Sequence, residues 1–325
     1  MTISDHLREF HGLPVFDFPE AGTDAVSGSD AKLPEAASVA WRIATETYRE
    51  EERWEEAFAR FTATVDTTEV GALIVGHWPD AYESGPDAVI AAILAARDRL
   101  PALRALFVGD ITAEECEISW ITQGLVTPLL DAFPELMEFG VRGGQQLAFP
   151  AVRHARLRSL TVETGGLDAE VVRGIGASDL PALEHLDLWL GSDEYGANTS
   201  VSDLAPILAG SRLPRLRHLA LRNSVIQDEI ATALSGAPVV ARLESLDLSM
   251  GTLGDEGAEA LLGGQSLTHL RRLDLRHNYV GEETRERLRS VLGAAGVEVD
   301  LSEIEGAEEW DDDDGEEHRY VAVAE

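Results

Sequence analysis

Lysine is all but missing from this chain. Lys32 is the only one in 325 residues, and every other basic residue is arginine. A phosphate-binding loop of the GxxxxGK[ST] type needs a lysine after its second glycine. Lys32 lies in SDAKLPE, so that motif is excluded. With abundant alanine, glycine and glutamate, the bias toward arginine reads as the codon usage of a GC-rich genome. Cysteine is equally scarce. Cys116 stands alone, which rules out an internal disulfide framework and every multi-cysteine metal motif. No apolar run approaches the roughly 18 residues of a membrane span. The opening residues MTISDHLREF have neither a basic n-region nor an apolar h-region. No secretory signal is therefore expected, and a cytoplasmic location is. HExxH, GxSxG, CxxC and a GxGxxG after a strand are all missing. Positive charge is short as well: 26 basic residues face 59 acidic ones, for a formal net charge of −33. Nucleic acid and anionic membranes would repel such a chain.

What is abundant is repetition. The spacing L-x-x-L-x-L recurs as LRSLTV from Leu157, LEHLDL from Leu183, LRHLAL from Leu216, LESLDL from Leu243 and LRRLDL from Leu270. Weaker copies precede these: VGALIV from Val70, LRALFV from Leu103 and LMEFGV from Leu136. Successive copies start 21 to 33 residues apart, a period that marks stacked repeats. Apolar residues at repeat positions 4 and 6 share one face of a short strand, while positions 3, 5 and 7 point the other way. The stretches between read as helices: LDAEVVRGI, VSDLAPIL, IQDEIATAL, DEGAEALL and EETRERLRSVL. One strand–helix unit cannot bury its own apolar face, so parallel stacking is expected. Helices are wider than strands, which would curve the stack with the strands inside. Eight strands about 4.8 Å apart give a concave sheet roughly 34 Å long.

These copies, above all LDLSMGTLGDEGAEALL followed by LRRLDLRHNYVGEET, resemble ribonuclease-inhibitor-like leucine-rich repeats. Asn278 falls at position 9, where that family places an asparagine bonded within the turn. Position 9 departs from the pattern elsewhere, reading Trp78, Ile111, Gly144, Gly165, Gly191, Ser224 and Gly251. The chain as a whole is similar to a group of uncharacterised cytoplasmic leucine-rich-repeat proteins of GC-rich bacteria. The shared stretches are HGLPVFDFP, WEEAFARF and RYVAVAE. The resemblance implies an α/β horseshoe and a binding role, not a reaction.

Outside the repeats the chain divides into an N-terminal cap region, 1–69, a solenoid, 70–302, and an acidic tail, 303–325. LPVFDF and VAWRI read as strands, and residues 21–35 as a loop. Trp54–Val65 reads as an amphipathic helix with Trp54, Ala57, Phe58, Phe61 and Val65 on one face. That stripe suits a cap over the first repeat better than a docking face. Residues 303–317 hold ten carboxylates and no base. Such a run is expected to be a disordered, solubilising tail. Asp311–Asp314 lacks the spacing of a calcium loop. The closing YVAVA is apolar enough to dock back as a short strand.

Side chains forced out of the core are where recognition would reside. Position 7 reads Arg142, Glu163, Trp189, Arg222, Ser249 and Arg276; position 5 reads Gly140, Thr161, Asp187, Ala220, Asp247 and Asp274. Position 3 reads Glu138, Ser159, His185, His218, Ser245 and Arg272. Arg142 beside Glu163, and Arg272 near Asp274, read as solvated pairs of little energy. Trp189 has the composition of a binding hot spot unless it packs under a loop such as 191–200. His185 and His218 with Asp187 form a set that could hold zinc or iron, although two surface histidines among charges is the simpler reading. Cys116, in EECEISW, sits among acids that would raise its pKa rather than activate it.

The expected function is non-catalytic recognition of a protein or peptide, without cofactor or metal. The site is centred on Trp189, with Glu163, His185, Asp187, His218, Arg222, Asp247, Asp274 and Arg276 around it. Trp189→Ala should then spare the fold and cost binding about 2 kcal/mol or more. Two alternatives come from other classes: an enzyme with its site between the N-terminal cap and the solenoid, and an acidic decoy that mimics nucleic acid.

Overall fold

A computed structural model describes residues 3–21, 33–45, 52–303 and 318–324. Lys32 and the acidic stretch 304–317 lie outside these residues. One sheet of twelve strands runs through the described chain, in the order of the sequence. A short hairpin opens it: β1 (Glu9–Phe10) pairs antiparallel with β2 (Leu13–Asp17). Every later neighbour is parallel: β3 (Ala40–Ile43), β4 (Ala72–Val75), β5 (Ala105–Val108), β6 (Glu138–Arg142) and β7 (Ser159–Glu163). There follow β8 (His185–Gly191), β9 (His218–Ser224), β10 (Ser245–Asp247), β11 (Arg272–Asp274) and β12 (Glu298–Asp300).

The register shows why the leucine spacing folds this way. Leu160 pairs with Leu186, Leu186 with Leu219, Leu219 with Leu246, and Leu246 with Leu273. Equal repeat positions therefore sit side by side, and their side chains form a buried ladder. Each such leucine contributes roughly 1.5–3 kcal/mol relative to an exposed one. The connections carry the helices: α1 (Trp54–Thr64), α2 (Asp87–Ala95), α3 (Thr127–Ala132), α4 (Ala169–Ala177), α5 (Val201–Ala209), α6 (Gln227–Leu234), α7 (Asp255–Gly263) and α8 (Glu282–Leu288). Local chemistry sets their ends. Asp168 accepts the Glu170 N–H at 2.7 Å to start α4. Ser200 and Asp203 cap α5 mutually, and Gly210 at φ 65 ends it.

The sheet is longer than the eight strands read from the LxxLxL copies. LPVFDF and VAWRI join it as β2 and β3, and Ile43 pairs directly with Val75. The sheet thus crosses residue 70 without a break. Alternation of apolar residues is enough for pairing, even where the full leucine pattern is missing. The aromatic stripe of α1 packs inward. Trp54, Phe58 and Phe61 are buried against Trp41 and Phe18, and the Trp54 indole N–H donates to the Ile43 carbonyl at 2.9 Å.

Candidate functional site

Alternation delivers positions 3, 5 and 7 of each repeat to the sheet face away from the helices. On β7–β11 this face carries a chain of ion pairs. Arg222 grips Asp187 with two bonds, Nε to Oδ1 at 3.0 Å and Nη2 to Oδ2 at 2.5 Å, and reaches Asp247 at 3.6 Å. Asp274 accepts from Arg272 at 3.0 Å and Arg276 at 3.2 Å. Asp247 and Asp274 are direct cross-strand neighbours, a costly juxtaposition of like charge, and the three arginines offset it. The rings of His185 and His218 stack 4.0 Å apart at an interplanar angle of 9°. His218 Nδ1 lies 2.7 Å from Ser245 Oγ. Among the described residues, no three His, Cys, Asp or Glu side chains are grouped to hold a metal ion.

Burial sets the protonation states here. It holds the His185 imidazole below its ordinary value, with the neighbouring His218 adding to the effect, and it lowers His218 too. Burial also pushes the Asp187 carboxyl up to about 6, against the pull of Arg222 and with help from Asp247 and Glu163. Cys116 is pushed up to about 11 by burial and by Glu117 and Glu115, the direction its acidic neighbours imply.

Position 7 is not the open column expected of it. Trp189 is only 8% exposed. It is packed with Ile118, Met250 and Val323, and with the half-buried Ile3 and Ala322. The Arg222 guanidinium lies 4.9 Å from its ring centre. Alternation does push this side chain out of the leucine core, but both ends of the chain fold over it. The cover is the 321–324 segment rather than the 191–200 insert. The YVAVA stretch does dock back, although among the described residues it forms no strand of the sheet. Arg142 and Glu163 are likewise not a solvated pair. Arg142 is buried and bonds Glu163 at 2.7 Å, Asp110 at 3.2 Å and the Ile111 carbonyl at 3.0 Å.

Asp110 is the residue that sequence reasoning missed. It is fully buried and accepts from Arg42, Arg142 and the Leu7 N–H, with His6 Nδ1 at 3.6 Å. Burial alone would raise its pKa. The His6 contact, the two arginines and the Leu7 N–H outweigh that and hold it below its ordinary value. It thereby pins the N-terminal segment across the sheet. The one signal was an acid directly after the apolar strand LFVG. Phe10 from that segment meets Phe107 edge-on at 5.9 Å. Phe107 can lie flat over β6 because its neighbour there is Gly140, where a Cβ would strike the ring. A cavity of about 400 Å³ remains between this segment and the sheet, lined among others by His11, Phe107, Glu138, Gly140, Glu163 and Asp187. Three of the four carboxylates there are already held: Glu138 by His11 at 2.9 Å, Glu163 by Arg142 and Asp187 by Arg222, with Glu9 the fourth.

The structure thus brings together His185, Asp187, His218, Arg222 and Asp247 as one half-open patch on β8–β10. Arg276 extends it; Asp274 is buried, held by Arg272 and Arg276, and so is neither an open binding residue nor half of a solvated pair. Glu163 lies toward the cavity, and Trp189 lies beneath the chain ends. Asn278 makes the turn contacts expected at position 9. Its amide bonds the Leu248, Leu275 and Arg276 carbonyls, and its oxygen accepts the Leu253 N–H at 3.0 Å. Where the asparagine is missing, others substitute: Gln227 bonds the Leu221 carbonyl at 2.8 Å, and Thr164 the Trp189 carbonyl at 3.0 Å.

Comparison with known proteins agrees with this geometry. The family model described as leucine rich repeat matches residues 243–262 and 266–283. A solved structure of a protein from Bacteroides fragilis is similar at 27% identity and a TM-score of 0.75, covering 82% of this chain and 74% of that one. No curated protein matches. The fold is an α/β leucine-rich-repeat solenoid. No helix among the described residues is long and apolar enough to cross a membrane.

Proposed function

We propose that this chain is a non-catalytic scaffold that recognises a protein or peptide on the helix-free face of its sheet. The observation that carries this reading is the patch of His185, Asp187, His218, Arg222 and Asp247. These side chains are not dictated by core packing, yet cross-strand pairs hold them in place. A site ordered in advance loses little entropy on binding. The acidic excess selects a basic partner. The repeats are of the ribonuclease-inhibitor-like kind: true helices fill the connections after β7–β11, and Asn278 bonds as that class requires. A cytoplasmic location fits the same reading. An enzyme site between the N-terminal segment and the solenoid has the 400 Å³ cavity in its favour, but three of the four carboxylates around it are tied to a base.

The test is capture of partners by the wild-type chain, by Asp247→Lys with His185→Glu, and by a control with Glu229→Lys and Glu256→Lys on the helix side. The sheet-face variant is expected to lose partners that the control keeps. If both variants retain the same partners, the reading fails.

A further inference from the structure

The C-terminal edge of the strands is a second surface, and it does not depend on the sheet-face reading. The segment 320–324 crosses the loops that follow β11 and β10, the end of β9 and the loop that follows β7. Three features of its seat are those by which extended peptides are held. First, it grips backbone. Asn223 offers both halves of its amide to one residue, donating to the Val323 carbonyl at 2.5 Å and accepting the Val323 N–H at 2.9 Å. The Met250 carbonyl takes the Ala322 N–H at 2.9 Å. The Tyr279 hydroxyl accepts the Tyr320 N–H at 2.9 Å and faces the Tyr320 carbonyl at 3.1 Å. Ser119 bonds the Ala324 carbonyl. Second, it reads alternate side chains. Val321 and Val323 are buried while Tyr320 is exposed, and Val323, 1% exposed, rests on Trp189, Ile118 and Met250. Third, glycine clears the path: a Cβ on Gly165 would strike the Ala324 carbonyl.

A clamp on backbone amides with pockets for every second residue is how extended peptides are held. The surface continues beside Ser119. Trp120, next to Ser119, is 40% exposed and lies 5.4 Å from Tyr82, itself 55% exposed. A longer peptide could cover this pair, which the 320–324 segment leaves exposed. That gives an outside ligand contacts with which to displace it.

We propose that the edge formed by Ser119, Gly165, Trp189, Asn223, Met250 and Tyr279 is a binding site for an extended peptide of the pattern valine–small–valine. The chain's own 320–324 segment occupies it as an internal competitor.

The probe is a labelled peptide of residues 318–325, HRYVAVAE, measured by fluorescence anisotropy against full-length chains. The wild type should bind it weakly, because its own segment fills the site. Val323→Asp frees the site and should bind at least tenfold tighter. Adding Asn223→Ala should remove that gain, and a peptide with aspartate at both valines should not bind. If a folded Val323→Asp chain binds no tighter than the wild type, the proposal is overturned. Should Val323→Asp fail to fold, Val323→Thr keeps the shape and replaces it. A gain of about threefold is then expected, and no gain overturns the proposal equally.

Discussion

Trp189 shows what alternation does and does not determine. Its place at position 7 fixes the direction of its side chain relative to the sheet. It says nothing about which distant segment lies on top. Trp189→Ala is therefore expected to destabilise the protein rather than spare it. Removing a buried aromatic leaves a cavity, and the cost should be about 3 kcal/mol. Chemical denaturation of the two chains measures it. A change below about 0.5 kcal/mol would return Trp189 to the surface and revive it as the centre of a binding site.

At the scale of elements, the segment before β2 depends on one buried carboxylate. Asp110→Asn removes the carboxylate that Arg42 and Arg142 share and leaves each with one partner, Asp17 and Glu163, which should cost about 1–3 kcal/mol. The same contact makes the segment's docking depend on pH. His6 is raised above its ordinary 6.5, mainly by its bond to Asp110. Its contribution is fully present below 6.5 and is lost as pH rises through the raised value. Asp110 is lowered below its ordinary 3.8. Its contribution is present above 3.8 and is lost as pH falls through the lowered value. Residues 3–13 should thus be held most firmly between these limits. Exchange of the Leu7 amide, which donates to Asp110 at 3.2 Å, reports on this after correction for intrinsic rates. A protection factor that stays flat as pH rises from about 4 to 9 would remove His6 as a cause, and one that stays flat as pH falls well below 3.8 would remove Asp110. Most strands and helices, by contrast, were legible, although β1, β12, α2 and α3 were not read from the sequence. Leu160, Leu186, Leu219, Leu246 and Leu273 announce their register by spacing alone, because a strand places equal repeat positions side by side. Asp110 and Asn223 were not legible. Their partners lie 103 and 100 residues away, and no local period encodes such a distance.

For the whole molecule, the two chain ends change what kind of object the solenoid is. A stack of repeats is nearly one-dimensional: each unit touches its neighbours, and the terminal units can melt first. Here the 320–324 segment links the loop after β11, through Tyr279, to Ser119 before β6. Ile3 from the other end joins the same cluster around Trp189 and Val323. Units far apart in the stack are thereby tied together, so their unfolding should be coupled. In the wild type, the amides of β10–β12 and those of β5–β7 are expected to lose protection at the same denaturant concentration. In Val323→Asp the tie is cut. The β10–β12 amides should then exchange first, and the global transition should broaden, with a smaller apparent m-value, as two-state behaviour breaks down. Hydrogen exchange across a urea series resolves the two groups. If the order of exchange is the same in both chains, the segment only decorates the solenoid. If the β10–β12 amides separate only in the variant, cooperativity along the stack comes from the ends of the chain as well as from the contact of one repeat with the next.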